Sequence, residues 1–173
     1  AAASWLQRAA DAGSSEGQAR LGMLLAEGRG VERNDAEALR YLSLGAEQGR
    51  PDAMLTLGFM YMNGRGVAVD EKQGLAWVRK AADTGMPGAQ VVLARHYAVG
   101  KGVAQDNAEA VRWYQKAADQ GFPAAQNQIG LAYLMGLSVE KNPAKAFEWF
   151  SKAAEQGDAL AQQNLADRRI FVA

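Results

Sequence analysis

The chain has 173 residues, a hydrophobic fraction of 49%, and 19 basic side chains that balance 19 acidic ones. This hydrophobic content is enough for a continuous core and argues against disorder, and the balanced charge gives no field that would attract nucleic acid or an anionic membrane surface. The absence of Cys excludes disulfides, Cys-based zinc sites and thiol nucleophiles, and the apolar runs are far shorter than the roughly 20 residues that span a bilayer.

A glycine recurs every 36 residues, at Gly13, Gly49, Gly85, Gly121 and Gly157. A fixed period without insertions is typical of a solenoid of identical structural units. The pattern predicts a single repeat domain over residues 1–173. Its parts are a half repeat at 1–13, full repeats at 14–49, 50–85, 86–121 and 122–157, and a half repeat at 158–173, for which a capping role is one alternative.

The first helix of each repeat is predicted from an aliphatic residue eight positions after the glycine and a small residue directly after it. The aliphatic residues are Leu21, Leu57, Leu93, Ile129 and Leu165, and the small ones are Gly22, Gly58, Ala94, Gly130 and Ala166. In three repeats a tyrosine follows the aliphatic residue after four positions, which is the spacing of one helical face. The small residue predicts a close approach of two helix backbones.

A glycine-rich turn is predicted to end each first helix, because glycine accepts the left-handed conformation that terminates helices. These turns lie at 28–31, 64–67, 100–103 and 136–139. Ser138 replaces the second glycine in the fourth copy, which predicts a different geometry for that turn. Second helices are predicted to start near Asp35, Glu71, Asn107 and Asn142, where Asx side chains cap free N–H groups.

The second helices carry a stripe of large residues that alternates with small ones. The large pairs are Tyr41 with Leu42, Trp77 with Val78, Trp113 with Tyr114, Trp149 with Phe150 and, in the leading half repeat, Trp5 with Leu6. We assign Trp77, Trp113 and Trp149 to the core, where truncation to alanine would cost about 3–5 kcal/mol. The whole pattern predicts an all-α protein, an α/α superhelical solenoid of helix–turn–helix repeats with about ten helices.

One face of the first helices is predicted to bind a partner. At 100° per residue it points away from the aliphatic position, yet it is unusually apolar. Its residues are Met23, Leu55, Phe59, Met62, Val91, Arg95, Asn127, Leu131 and Leu134. The alternative is that neighbouring first helices bury these side chains against each other.

No motif in the chain predicts catalysis or cofactor binding. The Gly-x-Gly turns lack the preceding strand and the register of a P-loop or dinucleotide site. His96 is the single histidine and has no nucleophile motif nearby, so we expect it to have a packing or interhelix role. We therefore predict no catalytic residue, no metal site, no cofactor and no nucleic-acid binding.

The third repeat carries the fullest form of a recognisable pattern. Its residues are Ala89, Leu93, Tyr97, Gly100, Gly102, Val103, Ala110, Trp113, Tyr114, Lys116, Ala117, Ala118 and Gly121. This pattern resembles the Sel-1-like repeat, a relative of the tetratricopeptide repeat. The resemblance implies an adaptor or scaffold for protein partners, often bacterial and often exported to the periplasm or cell envelope.

The predicted function is therefore a non-catalytic scaffold that binds a protein or peptide on its concave face, as an envelope regulator or a toxin-neutralising immunity protein. The alternatives are an envelope hydrolase with a groove active site, or an architectural spacer. The start at Ala1, without Met or a signal-like run, predicts a mature or trimmed polypeptide. We expect a monomer in which residues 168–172 cover the end of the core. The alternative is a dimer in which these residues form the contact.

Overall fold

The computed structural model of the chain describes residues 2–167, with side chains from residue 4 onward. The regular elements within these residues are ten α-helices, which confirms the predicted all-α class. They are α1 (Ala2–Asp11), α2 (Ser15–Glu27), α3 (Asp35–Glu47), α4 (Pro51–Asn63), α5 (Glu71–Asp83), α6 (Pro87–Val99), α7 (Asn107–Asp119), α8 (Pro123–Met135), α9 (Pro143–Glu155) and α10 (Ala159–Ala166). The predicted cap or dimer contact at 168–172 lies outside the described residues.

The chain divides into two compact units, Ala1–Thr84 and Gly85–Ala173. The first unit holds α1 to α5 and the second holds α6 to α10. Within the first unit α2 pairs with α3 and α4 pairs with α5, and within the second unit α6 pairs with α7 and α8 pairs with α9. The boundary falls at the glycine that ends the second full repeat. The single domain expected over the whole chain stays a prediction.

The second helix of each full repeat begins at its predicted place, directly after an Asn or Asp cap. The side-chain oxygens of Asn34, Asp70, Asp106 and Asn142 each accept a hydrogen bond of 2.9–3.0 Å from the amide three residues later. These bonds satisfy amides that the first helical turn leaves unpaired. The first helices α4, α6 and α8 begin with proline instead, whose missing N–H is not needed at that position.

Left-handed residues end the first helix of each full repeat. The capping glycines Gly28, Gly64, Gly100 and Gly136 have φ angles of 64–72°. The second glycine of the turn is also left-handed in the first three copies, and Ser138 takes the same conformation in the fourth, with φ of 56°. The predicted change of turn geometry is therefore wrong. The fourth turn is closed by the same hydrogen bond as the others, here from the Asn142 amide to the Tyr133 carbonyl at 2.8 Å, and this bond imposes the path.

Replacing Ser138 by glycine is expected to raise the free energy of unfolding by about 0.5–1 kcal/mol. A side chain in the left-handed region costs about 1–2 kcal/mol, and the larger entropy that glycine loses on folding offsets part of the gain. Urea unfolding followed by circular dichroism measures the change. The reverse substitution at the equivalent position, Gly102→Ser, is the matched control and should destabilise. If Ser138→Gly left stability unchanged, the strain assigned to this residue would be refuted.

The aliphatic residue predicted to point into the core does so in all four full repeats. Leu21, Leu57, Leu93 and Ile129 are each at most 2% exposed. The small residue that follows allows the second helix to come close. A Cβ atom at Gly22 would lie 2.6 Å from Leu42 Cγ, and one at Gly130 would lie 2.6 Å from the Phe150 ring. The predicted close approach of paired helices is confirmed at these contacts.

The aromatic stripe of the second helices divides between the core and the surface. In the four full repeats the second member of each pair is interior, namely Leu42, Val78, Tyr114 and Phe150, at 0–9% exposure, whereas Leu6 of the leading half repeat is half-buried. Trp113 is buried as predicted, but Trp77 and Trp149 are half-buried, so their assignment to the core is wrong. Neighbouring helix residues point 100° apart, so the first member of a pair lies at the edge of the face that meets the first helix. It is buried at Tyr41 and Trp113 and only half-buried at Trp77 and Trp149. The lysine three residues after each of these tryptophans lies 3.9–4.3 Å from the ring centroid, which places a cation over the ring.

Buried glutamines join consecutive repeats inside each unit. Gln18 on α2 donates to the Ala10 carbonyl of α1 at 3.2 Å, and its side-chain oxygen accepts from Gln48 at 2.7 Å. Gln126 makes the same bonds, to a carbonyl of α7 at 3.4 Å and from Gln156 at 2.9 Å. In each of these buried glutamines the amide nitrogen donates a hydrogen bond and the amide oxygen accepts one. Any shift of one helix would leave a buried polar group unpaired. These bonds therefore favour one docking geometry between repeats.

Candidate binding site

Four of the predicted binding residues lie in the first unit. Phe59, on the first helix α4, is the most accessible, with 40% of its surface exposed. Met23, Leu55 and Met62 are half-buried. These four residues therefore present one exposed aromatic ring and three partly accessible apolar side chains, all on first helices.

The other five predicted residues lie in the second unit. Arg95 is exposed, whereas only 2% of the surface of Asn127 is exposed. Val91, Leu131 and Leu134 are half-buried. The prediction that Asn127 meets a partner is wrong, because its side-chain oxygen accepts a hydrogen bond of 2.9 Å from Asn164 of α10. Helical periodicity assumed one buried face, whereas α8 contacts α7, α9 and α10.

A pocket of about 110 Å³ lies in the second unit beside Leu131. Its main lining residues come from α7, α8 and the turn after α8, and are Ala110, Tyr114, Leu131, Ala132, Met135 and Leu137. Sites for small molecules usually enclose roughly 300–1,000 Å³. This pocket is on the scale of a single amino-acid side chain, and its lining is suited to an apolar one.

Arg95 is connected to this pocket through Tyr114. Burial raises the pKa of Tyr114, and Arg95 opposes that rise by its charge and by a hydrogen bond to the phenol oxygen. The phenol is therefore neutral under physiological conditions, and the guanidinium group lies beside the pocket. Within the part of the chain that the structure describes, no carboxylate forms an ion pair with Arg95.

The equivalent crevice of the first unit is filled by the chain's own side chains. Met60 is the residue of the first unit that is equivalent to Ala132, and it is only 1% exposed. Arg65 is equivalent to Leu137. The guanidinium group of Arg65 lies 2.7 Å from the Asp35 carboxylate and also donates to a main-chain carbonyl of α2. At this place in the first unit, the Met60 side chain is therefore packed in the interior and the Arg65 side chain is held by the Asp35 carboxylate.

Two guanidinium groups hold the carboxylate of Asp35 in its charged form. Hydrogen bonds from Arg33 and then from Arg65, each 2.7 Å at the closest oxygen, lower the pKa of Asp35, while its partial burial acts in the opposite direction. A lowered pKa means that the contribution to stability is present above the ordinary pKa of Asp, about 4, and is lost as the pH falls below it. The ion pair between Asp35 and Arg65 is therefore maintained at neutral pH.

Ala132, Met135 and Leu137 are site residues that helical periodicity did not identify. The signal for them is a departure from the repeat pattern, because Ala132 is smaller than its counterpart Met60 and Leu137 lacks a charge. The other three copies of the turn carry Arg29, Arg65 and Lys101 at that position. Comparing equivalent positions for loss of volume and loss of charge would have marked Ala132 and Leu137 as departures from the repeat pattern.

His96 is bound to the main chain at the end of α6. Its Nδ1 lies 2.8 Å from the carbonyl oxygen of Lys101, which fits a ring N–H donated to that carbonyl. Across residues 2–167, no group of three or more His, Cys, Asp or Glu side chains is arranged to hold a metal ion. None of the described helices combines the length and the apolar character required to cross a bilayer.

Helix pairs that repeat every 36 residues and are joined by left-handed glycine turns define an α/α superhelical repeat protein. The sequence profile of the Sel1 repeat matches residues 1–14, 15–49, 51–86, 87–122 and 123–158. The chain belongs to the Sel1 repeat family. Proteins of this family are generally non-catalytic scaffolds for protein–protein interactions. No curated protein shows significant similarity to the chain.

Two solved structures are similar over almost the whole chain. A Sel1 repeat protein from Oxalobacter formigenes is 39% identical with a TM-score of 0.89, and the match covers 95% of this chain and 48% of that one. A protective antigen of uropathogenic Escherichia coli strains with an SLR fold is 36% identical with a TM-score of 0.90, covering 98% of this chain and 37% of that one. The chain thus spans less than half the length of either protein.

Cysteine rich protein B of Helicobacter pylori shares the fold at lower similarity. It is 22% identical with a TM-score of 0.61, and the match covers 77% of this chain and 96% of that one. The present chain contains no cysteine. In this family the same repeat fold is therefore compatible with a chain stabilised by packing and hydrogen bonds without disulfides.

Proposed function

We propose that this chain is a non-catalytic scaffold that binds a protein or peptide partner through the exposed side of its first helices. The observation that carries the proposal is the 40% exposure of Phe59 in the middle of α4. Large aromatic side chains are enriched among the residues that dominate binding energy at interfaces. The second unit, taken by itself, carries Arg95 and Leu131 at the same offset of its own first helices.

We further infer that the scaffold acts in the periplasm or cell envelope, as a regulator or as an immunity protein that covers the functional surface of a toxin. The support is the resemblance to exported Sel1 repeat proteins and the similarity to a protein described as a protective antigen. A scaffold of this kind needs no reacting group. It needs an accessible surface with an apolar anchor and polar surroundings.

Selection of peptides from a displayed random library against the purified chain tests the binding function. We expect enriched peptides, and we expect Phe59→Ala to weaken their binding about tenfold, as for a residue that dominates an interface. The melting temperature should change little, because a ring that is 40% exposed contributes only modestly to the core. Fluorescence polarisation with a labelled enriched peptide gives the affinity, and circular dichroism gives the melting temperature.

Leu44→Ala is the matched control for Phe59→Ala. Leu44 is 37% exposed in the same unit, but it lies on the second helix α3, outside the proposed surface. Its truncation should leave peptide affinity unchanged. Equal losses for both variants, or a selection that enriches no peptide, would count against the proposed function. A large drop in stability for Phe59→Ala would show that the ring packs between helices instead.

A further inference from the structure

We propose that the pocket of the second unit receives one aliphatic or methionine side chain of the partner, while Arg95 binds an acidic group of the same peptide. This inference rests on the proposed scaffold function and specifies the chemistry of the partner. The occupant is an acidic peptide segment with a single apolar anchor. Two features of the second unit support it: the missing volume in the pocket and the uncompensated cation beside it.

The missing volume follows from smaller side chains at three positions. Residues at these positions in the second unit are Val111, Leu131 and Ala132, and their counterparts two repeats earlier are Leu39, Phe59 and Met60. Met60 is 1% exposed, so the repeat packing accommodates a methionine side chain there in full. In the second unit Ala132 leaves that space open, and a guest side chain of similar size and polarity would fill it.

The two units also differ in the charged residues beside the crevice. In the first unit, Asp35 neutralises Arg65 at 2.7 Å. In the second unit, Asn107 and Leu137 occupy these positions, so this ion pair is absent there. The cation beside the pocket is Arg95, which is exposed and has no carboxylate partner among the described residues. A guanidinium group has five N–H donors, so its contact with a phenol leaves others for a carboxylate.

Tyr114 connects the two features, because its side chain lines the pocket and the charge of Arg95 acts on its phenol group. A peptide whose apolar side chain enters the pocket would therefore hold a nearby carboxylate within reach of the guanidinium group. Burial of the apolar side chain supplies affinity, and the ion pair fixes the direction of the peptide. Asn107 and Gln128 lie at the same pocket and offer amide groups to the peptide main chain.

Peptides enriched from the displayed library are the probes for this inference. We expect them to share Leu, Ile or Met close to Asp or Glu. Ala132→Met should fill the pocket with the side chain that the first unit already uses, and should weaken binding about tenfold or more. Arg95→Gln should also weaken binding, more at low salt than at high salt. That loss should vanish when the peptide's carboxylate is changed to the amide. The two changes form a double-mutant cycle, which isolates the interaction between Arg95 and the carboxylate.

Ala124→Met is the matched control, since Ala124 is exposed on the same helix α8 and is not part of the pocket lining. It should leave affinity unchanged. Leu137→Arg is a second way to close the pocket, with the type of residue found in the other copies, and it should weaken binding if Ala132→Met fails to fold. Peptides that bind Ala132→Met and Arg95→Gln as tightly as the original chain, yet lose affinity with Phe59→Ala, would overturn this inference alone. A library that enriches no peptide would overturn both proposals.

Discussion

Phe150→Ala is expected to lower the free energy of unfolding by about 3–5 kcal/mol, the range for truncating a fully buried aromatic side chain. Phe150 is 0% exposed and lies in a cluster with Ala146, Ala153 and Ala161. Its ring is so close to α8 that a Cβ atom at Gly130 would be 2.6 Å from it. The three alanines of the cluster are too small to fill the space that the ring would leave. Urea unfolding followed by far-ultraviolet circular dichroism measures the loss.

The preceding residue, Trp149, gives the informative comparison. It is half-buried, and Lys152 lies 4.3 Å from its ring centroid, so Trp149→Ala should cost only about 1–2 kcal/mol. Trp5 is 68% exposed, and its truncation should change stability by no more than about 0.5 kcal/mol. If Trp149→Ala were as destabilising as Phe150→Ala, the division of the aromatic stripe between core and surface would be refuted.

Gly58→Ala is expected to destabilise the chain by about 1–3 kcal/mol, although alanine is the better helix former by about 1 kcal/mol. The added Cβ atom would lie 2.8 Å from the Gly74 carbonyl oxygen of α5 and 2.8 Å from Val78 Cγ2. The first of these atoms belongs to the backbone, so relief requires the two helices to move apart. That movement would weaken the contacts along the whole α4–α5 pair. Thermal and urea unfolding both report this effect.

Gly88→Ala is the matched control, because it makes the same substitution in a first helix with the opposite expected sign. A Cβ atom at Gly88 would meet no heavy atom within 4 Å. Only the conformational entropy of glycine is then removed, and stability should rise by up to about 0.5–1 kcal/mol. Destabilisation by both substitutions would mean that the close approach of α4 and α5 is not the cause at Gly58.

Local signals in the residues allowed much of the repeat architecture to be predicted. The Asx caps and the terminal glycines act within one helical turn, so the number of helices and the starts of the second helices follow from them. The aliphatic stripe at Leu21, Leu57 and their counterparts needs only helical periodicity. Ser138 is the exception, since a hydrogen bond between the flanking segments holds it in a conformation that its own side chain disfavours.

The candidate site could be predicted only in part. Periodicity identified Phe59 and Arg95 as accessible, because these residues lie on the side of a first helix that the packing leaves open. It failed for Asn127, because periodicity along one helix contains no information about α10, which covers that residue. It also could not locate the pocket, because the difference between Met60 and Ala132 matters only after the helices around them have been brought together.

The repeat length, the all-helical class, the caps and the buried aliphatic positions thus come from interactions among residues close together in the chain. Which of the tryptophans enter the core, which polar residue is covered and where a crevice stays open depend on contacts between different helices. The physical reason is that burial is a property of all the neighbours around a side chain, and a repeat with nearly constant local signals can still differ in the volume and charge placed at each junction.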